Sequence, residues 1–118
     1  MSEQMQLDQP PLEWSIEHRP EMVLIHFTIT RSDGVLDPAW LTRLDLPEET
    51  RGSEPGGLVL SGRGPIWLYG HLLHRAHVFA WCAVYDPRLQ GAVVVMRHTP
   101  DSPALGQIVP VSPGSLES

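Results

Sequence analysis

Ser61, Gly62, Arg63 and Gly64 follow the apolar run Gly57-Leu58-Val59-Leu60 without a break and run straight into Pro65. A strand that passes through a glycine-rich turn into a helix presents free backbone N–H groups and the positive end of the helix dipole, both of which favour an anion. The glycines let a ligand approach, and an arginine can fork onto a phosphate. An ordinary tight turn with a solvent-facing arginine fits the same residues. Asp86 and Arg88 stand two apart on a second polar turn, Asp86-Pro87-Arg88. A carboxylate there can hold a divalent cation or move a proton, and a guanidinium can neutralise charge on a phosphoryl oxygen; a local ion pair on an Asp-Pro turn is the plainer alternative. His71, His74 and His77 recur every three residues, which puts neighbours on one helix surface. His71 reads as structural. His77, at the helix end, and His98, just past the last strand, can act as acid, base or metal ligand near neutral pH. Their spacing is not a zinc signature. Trp67, Tyr69 and Trp81 can stack bases or fill a core.

The elements that must position these groups follow from periodicity. Leu12 to Ile16 alternates apolar and polar, and Met22 to Ile29 is rich in β-branched and aromatic residues, so the two read as strands turned near His18-Arg19-Pro20. Asp37-Pro38 offers an N-cap and a first-turn proline for a short helix through Trp40, Leu41 and Leu44. Residues 45–56 form an acidic loop rich in Pro and Gly. Gly57 to Leu60 is a buried strand, and Ile66 to about His77 is a helix carrying Leu68, Leu72, Leu73 and Ala76 at helical spacing. Phe79 to Tyr85 is a buried strand, and Ala92 to Met96 returns beside it as an antiparallel hairpin. Two strand–helix–strand units normally cross over right-handed and give parallel neighbours. The expected fold is therefore a small Rossmann-like α/β domain: a mostly parallel sheet with an antiparallel edge hairpin, flanked by helices. In such sheets ligands gather at the carboxyl ends of the parallel strands, where Thr30 to Gly34, Ser61 to Gly64 and Asp86 to Arg88 all fall.

The chain has 118 residues and a net charge of −6, the size of one domain. The expected organisation is a flexible tail at 1–11, one domain at 12–109 and a second tail at 110–118, with the Pro- and Ser-rich composition already setting in near residue 100. No apolar run is long enough to span a membrane, and the start MSEQMQLDQ is polar and acidic rather than signal-like, so a soluble cytoplasmic protein is expected. The single cysteine, Cys82, lies inside an apolar run and reads as a buried structural thiol. The acidic balance argues against coating duplex nucleic acid. There is no lysine, and charge is segregated: Ser61 to His98 carries four arginines and four histidines against one acid, Asp86. A local Arg/His surface on an acidic protein suits a small, multiply anionic ligand.

The run Gly57-Leu-Val-Leu-Ser-Gly-Arg-Gly-Pro-Ile-Trp-Leu-Tyr69, then His74-Arg-Ala-His77, then Ala83-Val-Tyr-Asp-Pro-Arg-Leu-Gln-Gly-Ala-Val-Val-Val95 resembles one family closely. It is similar to the CRISPR-associated type III accessory proteins of the "Csx-three" family, also described as ring nucleases, over about residues 20–109. The resemblance implies a Rossmann-like fold related to the CARF sensor domains that bind cyclic oligoadenylate. It also implies manganese-dependent cleavage of cyclic tetra-adenylate, which switches off type III CRISPR signalling. It further implies a homodimer, with two dimers sandwiching the ring. Carried over by residue, Ser61 and Arg63 would bind the ring within the Ser61-Gly62-Arg63-Gly64 loop, and His77, Asp86 and Arg88 would be catalytic. The metal ligands are left open. Some members continue into a kinase-like domain, which this chain is too short to hold.

Other classes of function suit the same residues. A binding module can sequester or sense the messenger without cutting it, and a manganese-dependent deadenylase on RNA 3′ ends would recognise the same adenylates. Helix geometry adds a constraint, because Pro65 and His77 sit at opposite ends of a helix that rises about 1.5 Å per residue, roughly 18 Å apart. Asp86 and Arg88 should therefore share the Ser61 edge, with His77 and His98 at the other. A catalytic His77 must then come from a second molecule, which suggests head-to-tail stacking.

Overall fold

The computed structural model describes residues 9–53 and 56–111. One sheet holds β1 (Leu12–His18), β2 (Met22–Ile29), β3 (Gly57–Gly62), β4 (Trp81–Asp86), β5 (Gly91–Arg97) and β6 (Ile108–Pro110). A helix, α1 (Ile66–Arg75), joins β3 to β4, and two 3-10 turns, Pro38–Arg43 and Glu48–Thr50, lie between β2 and β3. The strands stand in the sheet in chain order, β1 to β6.

The central trio is parallel as expected: β2 pairs parallel with β3, and β3 with β4. The other three pairings are antiparallel, so the sheet is mixed rather than mostly parallel. The β1–β2 and β4–β5 hairpins account for two of them, and the second is not the expected edge, because β6 lies outside it. The third comes from β6, which reading the sequence for apolar alternation misses because the strand has three residues, one of them a proline. Its Pro110 sits at the sheet edge, where a missing N–H costs no ladder bond. The strand order never reverses, so the fold lacks the switch point of a doubly wound sheet.

The first expected helix is a 3-10 turn instead. Asp37 does cap it, its carboxylate accepting the Ala39 amide at 2.9 Å, and Pro38 does occupy the first position. Six residues are too few to nucleate an α-helix on propensity alone, and the chain turns extended at Leu44, with φ −98° and ψ 133°. Trp40, fully buried, carries this segment into the core.

Strand alternation divides the core in two. Val23, Ile25 and Phe27 of β2, with Leu58, Leu60 and Cys82, meet Trp40, Leu44, Leu68, Leu72 and Ala76 on one face. Both connections therefore cover the same side, as consecutive right-handed crossovers along one direction must. Helices cover one face rather than both. The opposite face gathers Met22, Leu24, Val59, Trp81, Ala83 and Tyr85, with Val111 added from beyond β6. Cys82 is buried, burial pushes its thiol up to about 12, and its Sγ lies 3.5 Å from the Ala76 carbonyl. It is a structural thiol.

The ends of the described chain are tied in. The Pro11 carbonyl accepts the Thr30 amide, and Val111 is buried. The outer parts of the two expected tails, 1–8 and 112–118, lie outside the described residues. No described helix is long and apolar enough to cross a membrane.

On the helix-free face the Trp81 indole lies across Gly57, where an added Cβ would come within 2.0 Å of the ring. Gly57→Ala should therefore cost about 1–3 kcal/mol through forced displacement of the indole. The urea midpoint should fall with an unchanged slope; an unaltered midpoint would mean that the ring does not rest on this glycine.

Candidate functional site

The carboxyl ends of β2, β3 and β4 open onto a cleft of about 1200 Å³. Parallel register sets the alignment, Phe27 opposite Gly62 and Leu60 opposite Val84. β3 continues through Arg63 and Gly64 to Pro65, and α1 begins one residue later. Pro65 supplies no side-chain cap, so α1 turns uncapped N–H groups toward this edge.

Contacts with β2 hold the loop in place. Gly62 has φ +142°, and a Cβ on it would lie 2.6 Å from the Phe27 carbonyl oxygen. The Tyr69 hydroxyl, one helical turn into α1, donates to the Gly62 carbonyl. Burial pushes that phenol up to about 12, so it remains a donor at any ordinary pH. Its ring meets Phe27 edge-on, with centroids 5.3 Å apart. Arg63 stands out from this loop, exposed, with no hydrogen bond or ion pair to any described residue. Trp67 and Tyr69 line the cleft as the base-stacking reading requires, whereas Trp81 belongs to the core of the opposite face.

Asp86 ends β4 at the same edge, and Pro87 lines the cleft. The Asp86 carboxylate accepts the Arg88 amide at 2.9 Å and the guanidinium through Nε at 3.2 Å and Nη2 at 3.0 Å. That guanidinium holds the carboxyl below its usual range. At neutral pH Asp86 is thus a carboxylate that orients Arg88, whose side chain is 88% exposed. The structure shows the ion pair, which leaves Arg88 Nη1 without a bond to Asp86.

His77 lies beyond the far end of α1. Its Nδ1 is 2.9 Å from the His74 carbonyl, and the two rings are 6.0 Å apart. His98 lies at that edge too, its Nδ1 2.9 Å from the Phe79 carbonyl. One chain therefore brings Ser61, Gly62, Arg63, Gly64, Asp86 and Arg88 together and holds His77 apart by the length of the helix. His71 is structural, its Nε2 2.8 Å from the Leu44 carbonyl. Among the described residues no three His, Cys, Asp or Glu side chains converge.

Two residues that sequence reasoning passed over also belong here. His26 pairs across the sheet with Ser61, its Nδ1 3.1 Å from Ser61 Oγ, and Tyr85 lines the cleft from the neighbouring strand. Both face away from the helices. The signal was available in β2, where Val23, Ile25 and Phe27 must turn one way and His26 the other.

Comparison with known proteins bears on this edge directly. A family model described as CRISPR-associated protein (Cas_csx3) matches residues 29–110, which includes the whole loop, α1 and the Asp86 turn. The chain belongs to the Csx-three family. An uncharacterized protein of Aquifex aeolicus (strain VF5) is 38% identical over 103 residues, 86% of this chain and 90% of that protein. In this Csx-three protein the matched segment begins at the last residue of β2, so His26 falls just outside it.

Burial lowers the His26 pKa below its usual 6.5. The unfolded chain then binds the proton more readily, so the stability that the neutral ring contributes is complete above pH 6.5 and is lost as pH falls toward the folded value. Urea unfolding between pH 7.5 and 5.5 should show declining stability, less steeply in His26→Asn. The difference should stay below the ~1.4 kcal/mol per pH unit of one full proton; identical slopes would mean that the ring is as hydrated folded as unfolded.

Proposed function

We propose that this protein is a ring nuclease of type III CRISPR defence, which opens cyclic tetra-adenylate to linear oligoadenylate and so ends its signal. The supporting observation is the unpartnered Arg63 on a loop braced at a helix N-terminus, beside Asp86–Arg88 and an aromatic-lined cleft. An anionic ring of adenylates needs cations and N–H donors for its phosphates and flat side chains for its bases. The reading carries the cytoplasm as its location and kinship with cyclic oligoadenylate sensor domains as its fold relation.

Cleavage would use the ring's own 2′-hydroxyl. The 2′ oxygen bonds to phosphorus as the P–O5′ bond breaks, the 2′ proton leaves, O5′ gains one, and the strand ends in a 2′,3′-cyclic phosphate. Arg63 and Arg88 neutralise charge on the phosphoryl oxygens, and Asp86 aims Arg88. His77 transfers a proton. Since the ten residues of α1, about 15 Å of helix, separate the Ser61 loop from the turn that carries His77, the histidine acting on a bound ring comes from another molecule. A homodimer, with dimers stacked head to tail around the ring, supplies it. Manganese belongs to this reading through the family resemblance; among the described residues of one chain no three His, Cys, Asp or Glu side chains gather to hold it.

The competing reading is a module that binds the ring without cutting it. It is favoured by the mutual pairing of Asp86 and Arg88 in a single chain, which occupies the carboxylate and two of the guanidinium's three nitrogens.

Labelled cyclic tetra-adenylate incubated with the protein, with and without manganese, separates the readings. Linear product supports the nuclease, and intact ring co-migrating with protein supports the module. Cutting of linear RNA 3′ ends with the ring untouched points to a deadenylase. Arg63→Ala should weaken ring binding by about 1.5–3 kcal/mol, tenfold to a hundredfold, with stability unchanged. His77→Ala should bind normally and cleave about 10²–10⁴ more slowly in single turnover. Mixing the two variants should restore cleavage through hybrid stacks; a mixture as inactive as either alone would defeat the shared site.

A further inference from the structure

His26 is the one described histidine that hydrogen-bonds a side chain within the cleft. It lies on the helix-free face beside Ser61, with Tyr85 lining the cleft from β4, the strand on the other side of β3. Ser61 is 4% exposed and His26 half-buried, so neither side chain is free to swing away. We infer that His26 is a positioning residue that fixes the Ser61 hydroxyl as a hydrogen-bond donor toward a phosphate oxygen. This rests on the ring-binding reading above and adds to it a residue outside the loop.

The reasoning is one of proton counting. Ser61 Oγ has one proton to give and lies 3.1 Å from a nitrogen that either gives or takes one. If His26 carries its proton on Nε2, bare Nδ1 takes the serine proton and Ser61 offers an anion nothing but lone pairs. With the proton on Nδ1, the imidazole donates to Oγ, and the serine hydrogen is left to turn into the cleft. A phosphate there selects the second arrangement. Burial keeps the ring neutral near pH 7, so the choice of tautomer is a real one. Arg63 then supplies charge and Ser61 supplies direction, which a mobile exposed arginine does not.

Three side chains distinguish this role from packing. Asn carries its amide nitrogen on Cγ, two bonds from Cβ as Nδ1 is, and can donate to Oγ; Leu keeps bulk and loses the donor; Gln carries its amide one bond too far. His26→Asn should bind cyclic tetra-adenylate within about threefold of wild type. His26→Leu should bind about tenfold more weakly, because the Ser61 hydroxyl loses the donor that leaves its own proton aimed at the phosphate, and the hydrogen bond removed is one to a neutral oxygen. In a Ser61→Ala background, His26→Leu should add less than about twofold, since the coupling between the residues is then gone. Long-range 1H–15N spectra of the unmutated protein with the ring bound should show His26 protonated at Nδ1, a signature that mere packing would not fix. Additive losses in the double variant, or an Nε2–H tautomer in the complex, overturn the inference. So does tight binding by a folded His26→Leu, which leaves the ring-binding reading standing. Absence of ring binding by the wild-type protein defeats that reading and this inference with it.

Discussion

The site depends on how closely the β3–α1 loop lies against Phe27. A Cβ at Gly62 would meet the Phe27 carbonyl at 2.6 Å, and one at Gly64 would meet its ring at 2.7 Å. Neither position admits a side chain, so the loop can settle on the end of β2, and Arg63 between the two glycines is left facing solvent. Tyr69 then ties the helix back to the Gly62 carbonyl while its ring packs on Phe27. One aromatic residue on β2 thus fixes where the loop, the start of α1 and the inner wall of the cleft lie. The glycines serve close approach of backbone to backbone as much as approach of a ligand.

Helix length sets the second constraint. α1 covers ten residues and joins strands that run the same way, so whatever precedes it lies at one sheet edge and whatever follows lies at the other. His74, His77 and His98 share the second edge, far from Arg63 and Arg88. The chain's polar chemistry is split into a guanidinium half and an imidazole half that no side-chain rotation can join. Any reaction requiring both makes assembly part of the active site rather than an addition to it.

What the sequence made legible follows from the range of the forces involved. The parallel trio was readable because Leu58, Leu60, Leu68 and Leu72 repeat at periods of two and of three to four, and handedness then leaves one arrangement. β6 was not, because a three-residue strand is held by its pairing with β5 rather than by any pattern of its own. The 3-10 turn at Pro38–Arg43 carried every local sign of a helix start; its stopping after six residues is owed to Trp40 seating in the core and to the prolines around it. In the candidate site, the Ser61 loop and the Asp86 turn were legible as contiguous motifs. His26 and Tyr85 were not, since they join Ser61 only through register between strands that lie far apart in the chain.

Charge shows why contiguity alone misleads. The arginine-rich stretch from Ser61 to His98 looks like a basic surface when counted along the chain, yet folding pairs two of its four arginines with carboxylates and ties a third to backbone carbonyls. Arg75 reaches Asp45 at 2.8 Å, Arg88 pairs with Asp86, and Arg97 is spent on the carbonyls of Thr99, Pro100 and Ser102. Two of those partners, Asp45 and the carbonyls, lie outside the counted residues. Arg63 remains without a described partner, so what this edge can offer an anion is one guanidinium, one exposed ion pair and the uncapped N–H groups of α1 rather than a broad positive field. Such a site has little long-range pull. It discriminates by geometry, and a ligand that repeats its phosphates at fixed intervals, met by the same edge of a second molecule, would gain from each additional copy what a single phosphate does not.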